Sequence, residues 1–136
     1  MPRFSRHALM LAAALTISAP MALADAEADS RAVIEQQLDA FQRDDWREAF
    51  SYASPGIQAL FQNPQRFSEM VIGGYPMVWR PADVSFLGAD LENGDLVHRL
   101  QLVDQEGVAY VARYTMTEID GVWRIAGVVI ERAAEA

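Results

Sequence analysis

The chain has 136 residues, with eleven basic and nineteen acidic side chains and a formal net charge of −8. That length is one domain's worth, and the acidic balance argues against nucleic acid and anionic membrane surfaces as partners. All eleven basic residues are arginine and there is no cysteine, which excludes Schiff-base and phosphate-loop lysine chemistry, thiol nucleophiles and disulfide staples.

Arg3 and Arg6 precede an apolar run, Ala8–Ile17, that leads to Ala22-Leu23-Ala24. A positive n-region, an h-region and an A-x-A site predict a signal peptide over residues 1–24, cleaved after Ala24. The run is too short to span a bilayer, which needs roughly 20 apolar residues, so no stable membrane anchor is expected. No cysteine follows the site to carry a lipid, and no arginine pair marks the twin-arginine route. The expected location is the periplasm, or outside the cell. Taking residues 1–24 from the 136 leaves 112, with nine arginines against nineteen acids, a net charge of −10. A domain of that size buries roughly 65% of its unfolded surface, enough for one core.

Residues 25–32, opening Asp-Ala-Glu-Ala-Asp, read as a mobile acidic lead, and residues 33–132 as a single α+β domain. The first helix is expected from about Ser30 to Arg43. Ile34, Leu38 and Phe41 recur with helical spacing and form its buried stripe, with Gln36, Gln37, Gln42 and Arg43 on the other side. Asp45 with Glu48 fits a capping box that restarts a helix at Trp46, burying Trp46, Ala49, Phe50 and Ala53. Ser54-Pro55 and Asn63-Pro64 each pair an N-cap with proline at the first helical position. They predict a short turn, Pro55–Phe61, and a helix, Pro64–Ile72, ended by Gly73-Gly74.

Four strands follow: Val84–Leu91, Leu96–Val103, Val108–Glu118 and Val122–Arg132. Asn93-Gly94 and Asp120-Gly121 predict two-residue type I′ hairpins, and Asp104–Gly107 a turn closed by a left-handed glycine. These turns set the register. They pair Leu102 with Tyr110, Leu100 with Ala112, His98 with Tyr114, Met116 with Ile125, and Tyr114 with Gly127. One face then carries Leu96, His98, Leu100, Leu102, Tyr110, Ala112, Tyr114, Met116, Trp123, Ile125 and Val129, and must pack on the helices. The other carries Arg99, Arg113 and Arg124, either a row for an anion or a solvated face with acidic neighbours.

His98 is the one histidine after the signal segment. It is the candidate acid or base, with Tyr114 as hydrogen-bonding partner and Asp45 or Glu69 as orienting carboxylate. The plainer alternative is a histidine satisfied within the core. Tyr75, Trp79, His98, Tyr110, Tyr114 and Trp123 are the candidates to line a ligand pocket between the layers, against the plainer reading that they fill the core. Asp90-Leu-Glu92-Asn-Gly-Asp95 lacks calcium-loop spacing, and no metal or cofactor is expected. No G-x-S-x-G elbow marks a serine hydrolase.

Three stretches together resemble the domain of unknown function 4864 family of short exported bacterial proteins. They are Phe67-Ser-Glu-Met-Val-Ile-Gly-Gly-Tyr-Pro-Met-Val-Trp-Arg-Pro81, Ala40-Phe41 with Asp45 and Ala49-Phe50, and Asp120-Gly-Val-Trp-Arg-Ile-Ala-Gly127. The resemblance covers Val33–Glu131. The order of elements also resembles the larger nuclear transport factor 2-like (cystatin-like) cone class. This implies helices packed on a curved antiparallel meander of about four strands. It brings no established activity, since members of the larger class are isomerases, dehydratases, hydrolases or binding domains, and fold alone does not choose. Two functions are carried forward. One is binding of a small molecule or a protein partner through the pocket or the sheet face, with a homodimer through that face as one form. The other is acid–base catalysis at His98.

Overall fold

Five helices come first and a meander of four strands follows. The helices are α1 (Ala19–Gln42), α2 (Trp46–Ser51), α3 (Pro55–Phe61), α4 (Pro64–Gly74) and α5 (Pro76–Trp79). The strands are β1 (Asp83–Glu92), β2 (Asp95–Val103), β3 (Ala109–Ile119) and β4 (Val122–Arg132), antiparallel in sequence order. The computed structural model describes residues 19–134, so most of the expected signal segment lies outside the described residues. Among them, no helix is long and apolar enough to cross a membrane.

α1 buries Ile34, Leu38 and Phe41 as their spacing requires. It departs from expectation by starting at Ala19 and taking in all of residues 25–32. That stretch is helix rather than a separate lead. Leu23, Ala26 and Val33 pack against the core and Ser30 is fully buried. These positions lie three and four apart, one face of a helix, while Asp25 and Asp29 stay exposed on the other. Gln37, expected on the polar side, is also buried, and its amide donates to Ala49 O at 3.1 Å. The hydrogen bond is what makes a buried amide tolerable.

Asp44, left-handed at φ 53°, turns the chain out of α1. Asp45 then caps α2, its Oδ1 accepting from Glu48 N at 3.1 Å. The reciprocal half of the capping box does not form. Asp45 N donates instead to Ala40 O at 2.9 Å, and the Glu48 carboxylate bonds Arg43 and Tyr52. α2 buries Ala49 and Phe50, Trp46 is half-buried against Phe41, and Ala53 is buried two residues beyond the helix end at Ser51. Ser54 and Asn63 cap α3 and α4 as their positions just before proline predict.

All three predicted turns form. Asn93-Gly94 and Asp120-Gly121 have positive φ at both positions, as type I′ requires. Asp104 Oδ1 holds the third turn, accepting from Glu106 N and Val108 N, both at 2.9 Å. The pairs Leu102–Tyr110, Leu100–Ala112, His98–Tyr114 and Met116–Ile125 are all observed. One pair is not. Ala126 is an extra residue in β4, so Thr115 faces Gly127 and Tyr114 faces Val128. The bulge reverses every later side chain. Val129, expected inside, lies outside at 57% exposure, and Val128 and Ile130 take the inner face. A second bulge in β1 leaves Leu87 without a partner between Phe86 and Gly88.

The two layers are joined by backbone as well as side chains. Tyr52–Ser54, between α2 and α3, runs beside β4. Ile125 N donates to Tyr52 O at 2.9 Å, Ser54 N donates to Ile125 O at 2.8 Å, and Ala53 bridges Ile125 in parallel. This seam lies next to the Ala126 bulge and seals part of an otherwise open sheet edge.

Candidate functional site

A cavity of about 340 Å³ lies between the layers. Gln37 and Phe41 of α1, Ile57, Leu60 and Phe61 of α3, and Phe67, Met70 and Val71 of α4 line its helical side. Tyr114 of β3 and Ile125, Val128 and Ile130 of β4 line its sheet side. Tyr75 and Leu60 line it and are exposed, Leu60 at 72%, so they mark the side open to solvent. No charged residue lines it among the described residues. The β4 bulge helps to shape it, since Ala126, Gly127 and Val128 all border the space.

Tyr114 stands in the sheet wall behind this cavity. The residue is fully buried, and its hydroxyl has no hydrogen-bond partner among the described residues. Burial pushes the phenol well above its ordinary value of 10, because the phenolate would lose its hydration. The group is therefore a neutral hydroxyl, able to donate. Gln37, the other buried polar residue on the wall, already donates to Ala49 O.

His98 does not share this cavity. It pairs with Tyr114 across β2 and β3, but its ring lines a separate groove of about 390 Å³ between α1 and the β1 bulge, with Glu27, Arg31, Phe86 and Leu87. The imidazole is 3% exposed and stands edge-on to Phe86. Its Nε2 is 2.7 Å from Ser30 Oγ, which is also 2.7 Å from Ala26 O. A carbonyl oxygen only accepts, so the short contact to Ala26 takes the serine proton. That assigns the hydrogen on Nε2 to His98, donated to Ser30. Ser30 is thus neither accessible nor deprotonated by the imidazole. Burial lowers the His98 pKa below 6.5, with Glu27 opposing and Arg31 reinforcing the shift.

The other expected participants are dispersed. Asp45 is the α2 cap, and Glu69 is exposed on α4. The carboxylate that acts on His98 is Glu27, from the stretch read as a mobile lead. Of the six aromatic or histidine candidates for a pocket lining, Tyr75 and Tyr114 line the cavity and His98 the groove. Trp79 turns away, its Nε1 donating to Asp44 Oδ1 at 2.9 Å with Arg80 stacked on the indole. Tyr110, opposite Leu102, and Trp123, packed on the core, are half-buried and line neither space. The outer arginines do not converge on one point. Arg99 pairs with Asp90 at 3.5 Å, Arg113 with Glu92 at 2.9 Å, and Arg124 donates to Ser51 O.

The cavity walls missed by sequence reasoning are Gln37 and the α3–α4 apolar side chains. Ile57 and Phe61, four apart on α3, and Phe67, Met70 and Val71 on α4 have the spacing of an inward face. That signal was available. No group of three or more metal-ligating side chains occurs among the described residues.

No curated protein matches the chain, and no solved structure does. One family does, over nearly everything beyond the first turn of α1. The model for Domain of unknown function (DUF4864) matches residues 23–136, and the chain belongs to that family.

Proposed function

We propose that the protein is an exported, non-catalytic binding protein whose interlayer cavity takes one small apolar molecule. The carrying observation is the unfilled space itself. A space of about 340 Å³, open to solvent beside Leu60 and Tyr75, runs between the layers and is walled by aliphatic and aromatic side chains, the make-up of a small-molecule site. That volume lies at the small end of ligand sites, roughly 300–1,000 Å³. Export is supported by Arg3, Arg6, the apolar Ala8–Ile17 run and Ala22-Leu23-Ala24.

The test is calorimetric titration with naphthalene, a rigid apolar probe. One molecule is expected to bind per chain, and Ile57→Trp, which fills the cavity from a helix with no buried residue, is expected to abolish binding. Unchanged binding in that variant overturns the assignment of the cavity. Export is tested by the intact mass of the periplasmic protein, expected to begin at Asp25; a mass that retains residues 1–24 overturns it.

A further inference from the structure

We infer that the groove between α1 and the β1 bulge is a second binding site, separate from the interlayer cavity, and that it takes a primary amine, as the ammonium, on a small apolar body. The ammonium donates to His98 Nδ1 and to the Glu27 carboxylate. Ser30 Oγ gives its proton to Ala26 O, so His98 Nε2 carries the ring hydrogen and Nδ1 carries a lone pair. Nδ1 has no partner among the described residues, yet it is not sealed in. Tyr114 Oη is the one fully enclosed side-chain nitrogen or oxygen among them that lacks a partner. The free lone pair of a buried imidazole therefore meets the groove of about 390 Å³ that its ring lines. Glu27 lines the same groove, and its negative charge acts on the imidazole.

The charges on the wall narrow the class. Arg31, the one cationic side chain lining the groove among the described residues, is already balanced. Its Nε donates to Glu35 Oε1 at 2.8 Å, and its guanidinium lies 4.0 Å over the Phe86 ring. Glu27 makes no ion pair among the described residues. The groove thus presents one uncompensated negative charge and two acceptors. Polar groups buried in proteins are satisfied by partners, and an ammonium brings three donors and the matching charge, enough for both. An alcohol brings one hydrogen and no charge, and an anion is repelled by Glu27. Ala28, Phe86 and Leu87 supply apolar surface for the rest of the ligand. Glu27, Arg31 and His98 all follow Ala24 in the chain, so this polar wall does not depend on cleavage there.

The experiment is calorimetric titration of the full chain, near neutral pH, with benzylamine, benzyl alcohol and benzoate. Benzylamine is expected to bind once per chain and on the order of tenfold more tightly than benzyl alcohol, as a hydrogen bond to a charged group allows. Benzoate is expected to bind most weakly. Glu27→Gln, at a half-buried position outside the core, removes the advantage of the amine. Ala28→Trp, at an exposed position on the groove wall, abolishes benzylamine binding, whereas Ile57→Trp in the interlayer cavity leaves it unchanged. The nitrogen-15 resonance of His98 Nδ1 moves upfield on binding, because its lone pair accepts a hydrogen bond. Benzylamine binding that Ile57→Trp removes and Ala28→Trp keeps overturns the groove site. Equal affinity for the alcohol, or preference for benzoate, overturns the ammonium class. An unmoved Nδ1 resonance overturns the role of His98. No benzylamine binding overturns the site and leaves the interlayer cavity to its own test.

Discussion

His98 Nε2 donates to Ser30 Oγ across 2.7 Å, joining the second strand of the sheet to the first helix through two buried side chains. The contact fixes the N-terminal half of α1 against the sheet, where Leu23 and Ala26 add apolar packing. Removing the acceptor strands an N–H in a site that is 3% exposed. Ser30→Ala is therefore expected to cost about 1–3 kcal/mol of unfolding free energy, measured by urea denaturation. A loss below about 0.5 kcal/mol, the size of an ordinary surface substitution, rules out this role.

The same burial makes stability depend on pH. Unfolded His98 takes up a proton near 6.5, while the folded side chain resists it to lower pH. The unfolded state then binds more protons in that window, so the His98 contribution is complete above about pH 6.5 and declines as pH falls below it. Glu27 softens the effect and Arg31 sharpens it. The difference in stability between the wild type and His98→Gln is expected to shrink from pH 7 to pH 5. Taking the difference cancels the carboxylate titrations common to both. An NMR midpoint for His98 at or above 6.5 contradicts the assignment.

Tyr114→Phe is expected to make the unliganded protein more stable, by about 1 kcal/mol. It removes a buried hydroxyl that has no partner and keeps the ring that packs the core. Most buried substitutions destabilise, so the sign is diagnostic, and thermal or urea unfolding reads it directly. A destabilised variant means that the hydroxyl has a partner in solution, such as an ordered water.

Arg80 holds the corner where the helices give way to the sheet. Its Nη1 donates to Phe41 O at 2.7 Å, its Nη2 reaches both Asp44 carboxylate oxygens at 3.0 Å, and its guanidinium stacks on Trp79. One planar fork serves three groups, which an ammonium cannot imitate. Arg80→Lys is expected to lower stability by about 1 kcal/mol, nearly as much as Arg80→Ala. Full retention of the wild-type melting temperature by the lysine variant would show that charge alone suffices.

Much of the architecture was legible because local chemistry and global fold agree at the turns. Asn93-Gly94, Asp104–Gly107 and Asp120-Gly121 set three hairpins and with them the facing of His98 and Tyr114. The bulges were legible too, in a signal left unread. In β4 the inward apolar residues are Trp123 and Ile125 before Ala126, then Val128 and Ile130 after it. In β1 they are Val84 and Phe86, then Ala89 opposite His98. Each switch of parity, odd to even in β4 and even to odd in β1, is one extra residue. The site was less legible because it depends on depth. His98 and Tyr114 share a register position, but their rings end in different concavities. The start of α1 was misplaced because its early turns bury alanine and serine beside acids, a weaker stripe than Ile34–Leu38–Phe41.

The bonds that Ile125 makes to Tyr52 and Ser54 give the cavity one wall that stays put and one that can give way. β4 is stitched to the α2–α3 connection on its free side, so the sheet cannot swing outward without breaking backbone pairs. α3 buries none of its seven residues and ends at Gln62 with φ 73°. The mouth of the cavity therefore lies on the less tethered side, beside exposed Leu60 of α3, and its depth is bounded by the β4 wall.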